Sequence, residues 1–254
     1  MLDDLGAQVP QATPPLRVVS VVPSLTEAIA TTAPDLLVGA TDWCVRPADL
    51  TVTRVRGTKN PDLQAIEALD PHLVVANQEE NRKLDVERLR AAGIAVWVTR
   101  ITAVAEALAS MRRLFTEGLG IEQVAWLNEA ERVWRRPPLL ASRRVAVPIW
   151  RDPWFWVGSA TYVDDVLSRV GLVNVVAEPR YPKLAPADVL ALGPDLVLFP
   201  DEPYAFSAED GPDAMGAAST ALIPGWALSW YGPAMIDARA VLEAVATSAV
   251  SKPL

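Results

Sequence analysis

Two residue types that build many catalytic and metal sites are almost missing from this chain of 254 residues, which has one cysteine and one histidine. With Cys44 alone, no internal disulfide forms. A single free thiol suits a reducing compartment better than an oxidising one. With His72 alone, a triad that needs a second imidazole and a multi-histidine zinc site are both excluded. No apolar run reaches the roughly 18 residues of a membrane span. The phosphate-cradling glycine loop and the HExxH, GxSxG and CxxC patterns are also missing. Basic residues are outnumbered 23 to 31, for a formal charge of −8. Such a chain has no general attraction for nucleic acid or for an anionic membrane surface. Its opening, MLDDLGAQVPQATPPLRVV, shows no basic n-region, apolar h-region or nearby lipid-attachment cysteine. The expected location is therefore the cytoplasm, or an extracytoplasmic space if a leader has been removed.

What the chain does have is apolar bulk, 51% of its residues, and nine tryptophans. That is enough to bury a sizeable core. An internal repeat organises it. Residues 65–75 read AIEALDPHLVV and residues 188–198 read DVLALGPDLVL. Each is the end of an amphipathic helix, a turn with proline, then an apolar run typical of a buried parallel strand. A weaker pair, 26–40 and 163–177, recurs in the same order. Two α/β lobes of one Rossmann-like architecture are expected, each with a short parallel sheet. Further strands are expected at 17–22 and 95–98, and at 144–149. Between the lobes, Val104, Leu108, Met111 and Phe115 share one face of a helical stretch from about 102 to 136. It is interrupted at Gly118–Gly120 and ended by Pro137–Pro138. The expected layout is an N-terminal lobe over 1–101, a linking backbone helix over 102–138 and a C-terminal lobe over 139–254.

Several tryptophans fall where strands end. Trp43 follows 38–40 and Trp150 and Trp154 lie in IWRDPWFWVG, after 144–149, while Trp230 and Tyr231 lie in SWYGP, just ahead of the last helix. Ligands of open α/β sheets bind beyond the strand carboxyl ends, and aromatic rings there offer rigid apolar faces to a flat partner. The expected site is an aromatic cleft between the lobes. Arg151 and Asp152 either pair with each other or meet polar groups of a ligand. Asn77, Gln78, Glu79, Glu80 and Asn81 follow the strand at 73–76 and form a polar rim or a solvated helix start, with Asn77 and Glu79 the expected contacts. Asp201, Glu202 and Tyr204 are their counterparts after 196–199. Pro23 and Ser24 sit between the first strand and its helix; Ser24 serves as a helix cap and borders the same cleft. His72 reads as a turn residue at the opposite, entry end of its strand. Cys44 reads as a small apolar filler, with a soft contact to a metal centre as the lesser reading.

These segments resemble the helical-backbone binding proteins for cobalamin, haem and iron-siderophores. The similarity is carried by RVVSVVPSLTEAIA at 17–30, GTKNPDLQAIEALDPHLVV at 57–75, the IWRDPW loop, TYVDDVL at 161–167 and PDLVLFPDEPY at 194–204, and it is strongest to cobalamin-binding members. DDLG near the start is similar to the segment that precedes the first strand in that family. The resemblance implies two lobes spanned by one long helix, with the ligand held in a shallow aromatic cleft lined by residues at the positions of Trp43, Trp230 and 150–156. It implies cobalamin or a related metal chelate as ligand, and no required cofactor. Transport members carry a docking glutamate on each lobe, where this chain has Gln64 and Ala187, with Asp62 and Asp188 nearby. Docking on an ABC permease is therefore in doubt, and an intracellular carrier or sensor that catalyses nothing is the leading expectation. The alternatives are a transport receptor for cobalamin or an iron-siderophore whose leader is missing from the sequence, an enzyme or biosynthetic accessory protein using Glu79, Glu80 or Glu202 as a base, and a ligand-free interaction module.

Overall fold

The computed structural model describes residues 1–10, 14–139 and 142–248. The chain divides into two compact units: residues 1–101, 106–129 and 231–233 form the first, and 102–105, 130–230 and 234–254 the second.

The first unit starts with β1 (Val18–Ser20), α1 (Pro23–Thr32), β2 (Leu37–Ala40) and β3 (Thr53–Arg54). A two-stranded ribbon, β4 (Arg56–Gly57) and β5 (Asn60–Pro61), leads into α2 (Leu63–Ala68). Then come β6 (Leu73–Asn77), α3 (Lys83–Ala91) and β7 (Val96–Thr99). The sheet order is β3-β2-β1-β6-β7, every pair parallel. Strands β6 and β7 are buried throughout, because helices cover both faces and leave no solvent side for polar alternation. Val19, Val74 and Val96 meet Ile66 of α2 and Leu89 of α3 in one core cluster.

The helical stretch in the middle of the sequence is not continuous. Helix α4 (Val104–Arg113) passes into a π-helical turn over Leu114–Gly118, and α5 (Ala125–Trp134) begins only after a non-helical passage. Gly120, at φ 72°, lies in that passage, near the interruption the sequence predicts. Phe115 and Trp126 pack edge to face on either side of it, centroids 5.9 Å apart.

The second unit adds β8 (Arg143–Ala146), then a hairpin of β9 (Pro148–Trp150) with β10 (Phe155–Trp156). It continues with α6 (Tyr162–Val170), β11 (Leu172–Asn174), α7 (Pro186–Ala191) and β12 (Leu196–Pro200). It closes with β13 (Thr220–Ile223), α8 (Trp226–Ser229) and α9 (Met235–Ser248). Its sheet order is β11-β8-β12-β13, all parallel. Written by equivalent strands, this is β2-β1-β6-β7 again, so the duplication extends to topology. The expected strand at 144–149 divides at Val147: its first part joins the main sheet and its second turns back in the hairpin. Strand β13 was not anticipated. Its TALI segment is short and only partly buried, so it lacks the apolar run that marks β12.

Candidate ligand-binding site

In each sheet the chain leaves the first strand to one side and returns on the other. The switch point therefore lies between β1 and β6 in the first unit and between β8 and β12 in the second. Crevices beyond strand carboxyl ends at such points are where open α/β sheets bind ligands. Pro23 and Ser24 follow β1, Asn77 ends β6 and Trp150 lies in the hairpin after β8, whereas Trp230 and Tyr231 follow α8; the two ends are built differently.

In the first unit the rim is polar and tightly bonded. The Asn77 side chain, nearly fully buried, donates to Thr99 Oγ1 (3.0 Å), and its Oδ1 accepts the Glu79 N–H (2.8 Å). Asn81 Oδ1 accepts the Asn77 N–H (2.8 Å), while its amide donates to the carbonyls of Val21 (3.2 Å) and Thr58 (3.0 Å). One side chain thus ties the β1–α1 turn, the β4–β5 ribbon and the β6 exit together. Lys59 donates to the Glu79 carbonyl. Tyr231 is buried, and its hydroxyl donates to Glu80 Oε1 (3.2 Å). Burial first, and then the Glu80 carboxylate, push this phenol well above its ordinary value. Pro23 occupies the first turn of α1 and Ser24 is buried behind it. No side-chain cap bond is made at this helix start, whose N-cap is Val22, so the capping role read for Ser24 is not what the structure shows.

Against this polar floor, Trp43 stands out at 67% exposed, on the loop after β2. Cys44, the next residue, points inward. Its sulfur lies 3.0 Å from Thr26 Oγ1 and 3.1 Å from Thr41 Oγ1, and burial pushes the thiol up. Here the filler reading holds.

In the second unit the rim is an aromatic stack. Trp154 is parallel to Trp156 (5.7 Å, 20°) and to Phe206 (5.8 Å, 16°). Phe206 meets Tyr204 (4.6 Å), and Tyr204 meets Trp150 edge-on (5.5 Å, 78°). Trp156 is fully buried at the base, whereas Trp150 is 44% exposed at the outer end. Arg151 lies over the Trp154 ring, 5.3 Å from its centroid. Its guanidinium pairs with Asp210, with Asp213 at 3.4 Å and with Asp152 at 3.6 Å. Burial pulls the Arg151 pKa down, but the Asp210 hydrogen bond and charge outweigh it and the net direction is up. Asp210 accepts from Tyr204 Oη (2.6 Å), and this bond, with Arg151 adding to it, holds its carboxyl below the ordinary range. Trp230 is buried and its carbonyl accepts the Tyr162 hydroxyl (3.3 Å). Asp201 Oδ1 accepts the Gly225 N–H (2.6 Å), and Glu202 packs on the same glycine. Phe206, in the aromatic stack, and Asp210, on Arg151 and Tyr204, are two residues of this rim that sequence reasoning missed. Neither sits at a strand end or in the repeated segments, so no local signal marked them.

His72 lies at the entry end of β6, where its Nδ1 accepts the Leu16 N–H (3.0 Å). Gln64 and Ala187 are exposed on α2 and α7. Asp62 caps α2 through the Ala65 N–H (3.1 Å) and pairs with Arg56 (3.4 Å), whereas Asp188 is exposed. Among the described residues no group of three or more His, Cys, Asp or Glu side chains is arranged to hold a metal ion. No helix among them is long and apolar enough to cross a membrane.

Duplicated parallel sheets, with rims of bonded polar groups and stacked aromatics, define a class: the chain has the fold of the helical-backbone, periplasmic-type substrate-binding proteins. The resemblance to cobalamin-binding members also holds in sequence. The vitamin B12-binding protein of Salmonella typhimurium is 28% identical over 190 residues, 72% of this chain and 71% of that protein. Two solved structures agree in fold. A periplasmic heme-binding protein from Pseudomonas aeruginosa has TM-score 0.77 and 22% identity, covering 94% of this chain and 95% of its own. The periplasmic vitamin B12-binding protein BtuF of Vibrio cholerae has TM-score 0.70 and 18% identity, covering 94% and 99%. No family model matches the chain.

These relatives correct one expectation. The proteins this chain is similar to are periplasmic binding proteins, and the expected cytoplasmic location conflicts with that. The physical reason lies partly in Cys44. A thiol buried between two threonine hydroxyls is shielded from oxidant and carries no information about redox compartment.

Proposed function

We propose that this chain is the ligand-binding component of an uptake system for a corrinoid, with cobalamin the first candidate, and that it delivers the ligand to an ABC permease. The observation that carries this reading is the pairing of a vitamin B12-binding relative with exposed indoles, Trp43 and Trp150, beyond the strand carboxyl ends. Burying about 100 Å² of ring face on one such indole contributes about 2.5 kcal/mol at ~25 cal/mol per Å².

Haem is the competing ligand, and the local chemistry supports it less. Haem iron takes an axial His, Cys, Met or Tyr from its protein. His72 is at the entry end of its strand and Cys44 is buried. The Tyr204 and Tyr231 hydroxyls both donate to carboxylates, which stabilises the neutral phenol rather than the phenolate a ferric ion needs. A corrinoid whose cobalt already carries its axial ligands asks only for apolar faces and polar edges. Ligand contact is proposed for Pro23, Trp43, Asn77, Glu79, Trp150, Arg151 and Trp154, while Ser24, Trp230 and Tyr231 are buried. For permease docking, Asp188 is the exposed carboxylate on α7, whereas Asp62 is held by its capping bond.

Titration with cyanocobalamin and with haemin, following tryptophan emission, tests the reading. Saturable quenching by cyanocobalamin at micromolar concentration or below, weakened in Trp43→Ala and Trp150→Ala, is the expected result. Tighter binding of haemin, or no response to either, would overturn it.

A further inference from the structure

The loop at 41–50, between β2 and β3, leaves Trp43 and Val45 bare, at 67% and 61% exposure. A loose loop would fold such side chains back onto the protein. This one is fastened along its length. Arg54, in β3, aims one guanidinium nitrogen at two carbonyls, Thr41 (2.9 Å) and Cys44 (2.8 Å), and the other at Leu50 (3.3 Å). Trp43 lies between the first two of these residues. The Cys44 sulfur is seated between Thr26 and Thr41, and Arg46 pairs with the nearly buried Glu27 at 3.0 Å. The Asp42 N–H donates to the Arg56 carbonyl (2.8 Å). Nothing in the fold of the sheet requires a solvent-facing indole here.

We propose that Arg54 is a positioning residue for ligand binding: its guanidinium clamps the carbonyls on either side of Trp43 and so holds the exposed indole as a preformed platform for a flat ring. The planar fork of an arginine serves several carbonyls at fixed spacing, which a lysine ammonium does not reproduce. A platform ordered before binding spares the ligand the entropic cost of ordering it afterwards. The clamp itself rests on geometry alone; its bearing on affinity rests on the corrinoid reading above.

The test uses the full chain, as wild type and as Arg54→Lys, Arg54→Ala, Trp43→Ala and the Arg54→Ala/Trp43→Ala double variant. Cyanocobalamin affinity is measured by calorimetry. The Trp43 resonance is followed by fluorine NMR of 5-fluorotryptophan-labelled protein and assigned by Trp43→Phe. Arg54→Ala is expected to weaken cyanocobalamin about tenfold and Arg54→Lys about threefold, with the double variant no weaker than Trp43→Ala alone, because both substitutions remove one platform. The Trp43 resonance of Arg54→Ala is expected to shift toward that of unfolded protein while the other eight stay in place. If Arg54→Ala fails to fold, Arg54→Lys carries the same comparison. Additive losses in the double variant, or an unmoved Trp43 resonance, would overturn the proposal. A wild type that binds no cyanocobalamin would sink the corrinoid reading, and the resonance would still decide the clamp.

Discussion

The two units solve one structural problem with the same atoms in one place and different atoms in another. At the entry end of the sheets they agree closely. Arg17, ahead of β1, caps the end of α2 by donating to the carbonyls of Leu69 and Asp70; Arg144, in β8, caps the end of α7 through Leu192 and Gly193. His72 and Asp195 hold equivalent turn positions, and each accepts a backbone N–H at the neighbouring strand, that of Leu16 just ahead of β1 or that of Arg144 in β8. At the carboxyl ends the likeness stops. One rim holds an amide network and a bare indole, the other an aromatic stack under an arginine knotted to aspartates. Duplication kept what the fold needs at the entry end, while the two exits diverged. Ligand binding is proposed for those exits.

The sharpest break between the units is expected at Arg239 in α9. It is fully buried, pairs with Glu243 (2.8 Å), and donates to the carbonyls of Val133, Arg136 and Pro137. Arg239→Ala removes one partner of this buried set and is expected to cost about 3–5 kcal/mol. Hydrogen exchange should show β12 losing protection while β6 keeps most of its own. Equal loss in both strands would mean that the units do not open separately.

The likeness at the entry end is tested by Arg17→Ala and Arg144→Ala. Each strips charge-assisted bonds from helix-end carbonyls. About 1–2 kcal/mol is expected from Arg17 and roughly half that from the more exposed Arg144, read as a lowered urea midpoint with unchanged slope. Stability untouched by either would dissolve the equivalence. A smaller contrast lies one residue further on, where both turns are left-handed: Asp70 has φ 44° and Gly193 has φ 68°. Glycine adopts that conformation without penalty, and a side chain there is strained. Asp70→Gly should raise stability by about 0.5 kcal/mol, and Gly193→Ala should lower it by about 1 kcal/mol, since no neighbouring atom lies near enough to clash.

The smallest effect concerns acid. The Tyr204 hydroxyl, and after it Arg151, hold the Asp210 carboxyl below its ordinary 3.8. A depressed carboxylate stabilises the folded state above its unfolded pKa, and that contribution is lost as pH falls through the folded value. Tryptophan emission from the stack should therefore change below about pH 4 in the wild type, and this component should be absent in Asp210→Asn. Identical acid profiles would mean that Asp210 does not order the stack.

Much of the fold was legible because its signals are local and repeated. The apolar runs at 73–76 and 196–199 are strands buried on both faces, and the proline turns before them set their start. Trp43, Trp150 and Trp154, read from their place after strands, do lie on loops or the hairpin beyond β2 and β8, with Trp43 and Trp150 exposed. Trp230 and Tyr231, read as cleft aromatics from their place ahead of the last helix, are buried, because exposure depends on packing from remote segments that spacing does not encode. Arg54, Asp210 and Phe206 act across 4 to 59 positions of sequence, through carbonyls and rings no motif announces.

Calorimetric titration of the wild-type chain with cyanocobalamin, run beside haemin under the same conditions, tests the central claim most directly. One site per chain for cyanocobalamin, at micromolar affinity or better and tighter than haemin, is the predicted result. No heat of binding from cyanocobalamin, or a preference for haemin, would contradict it.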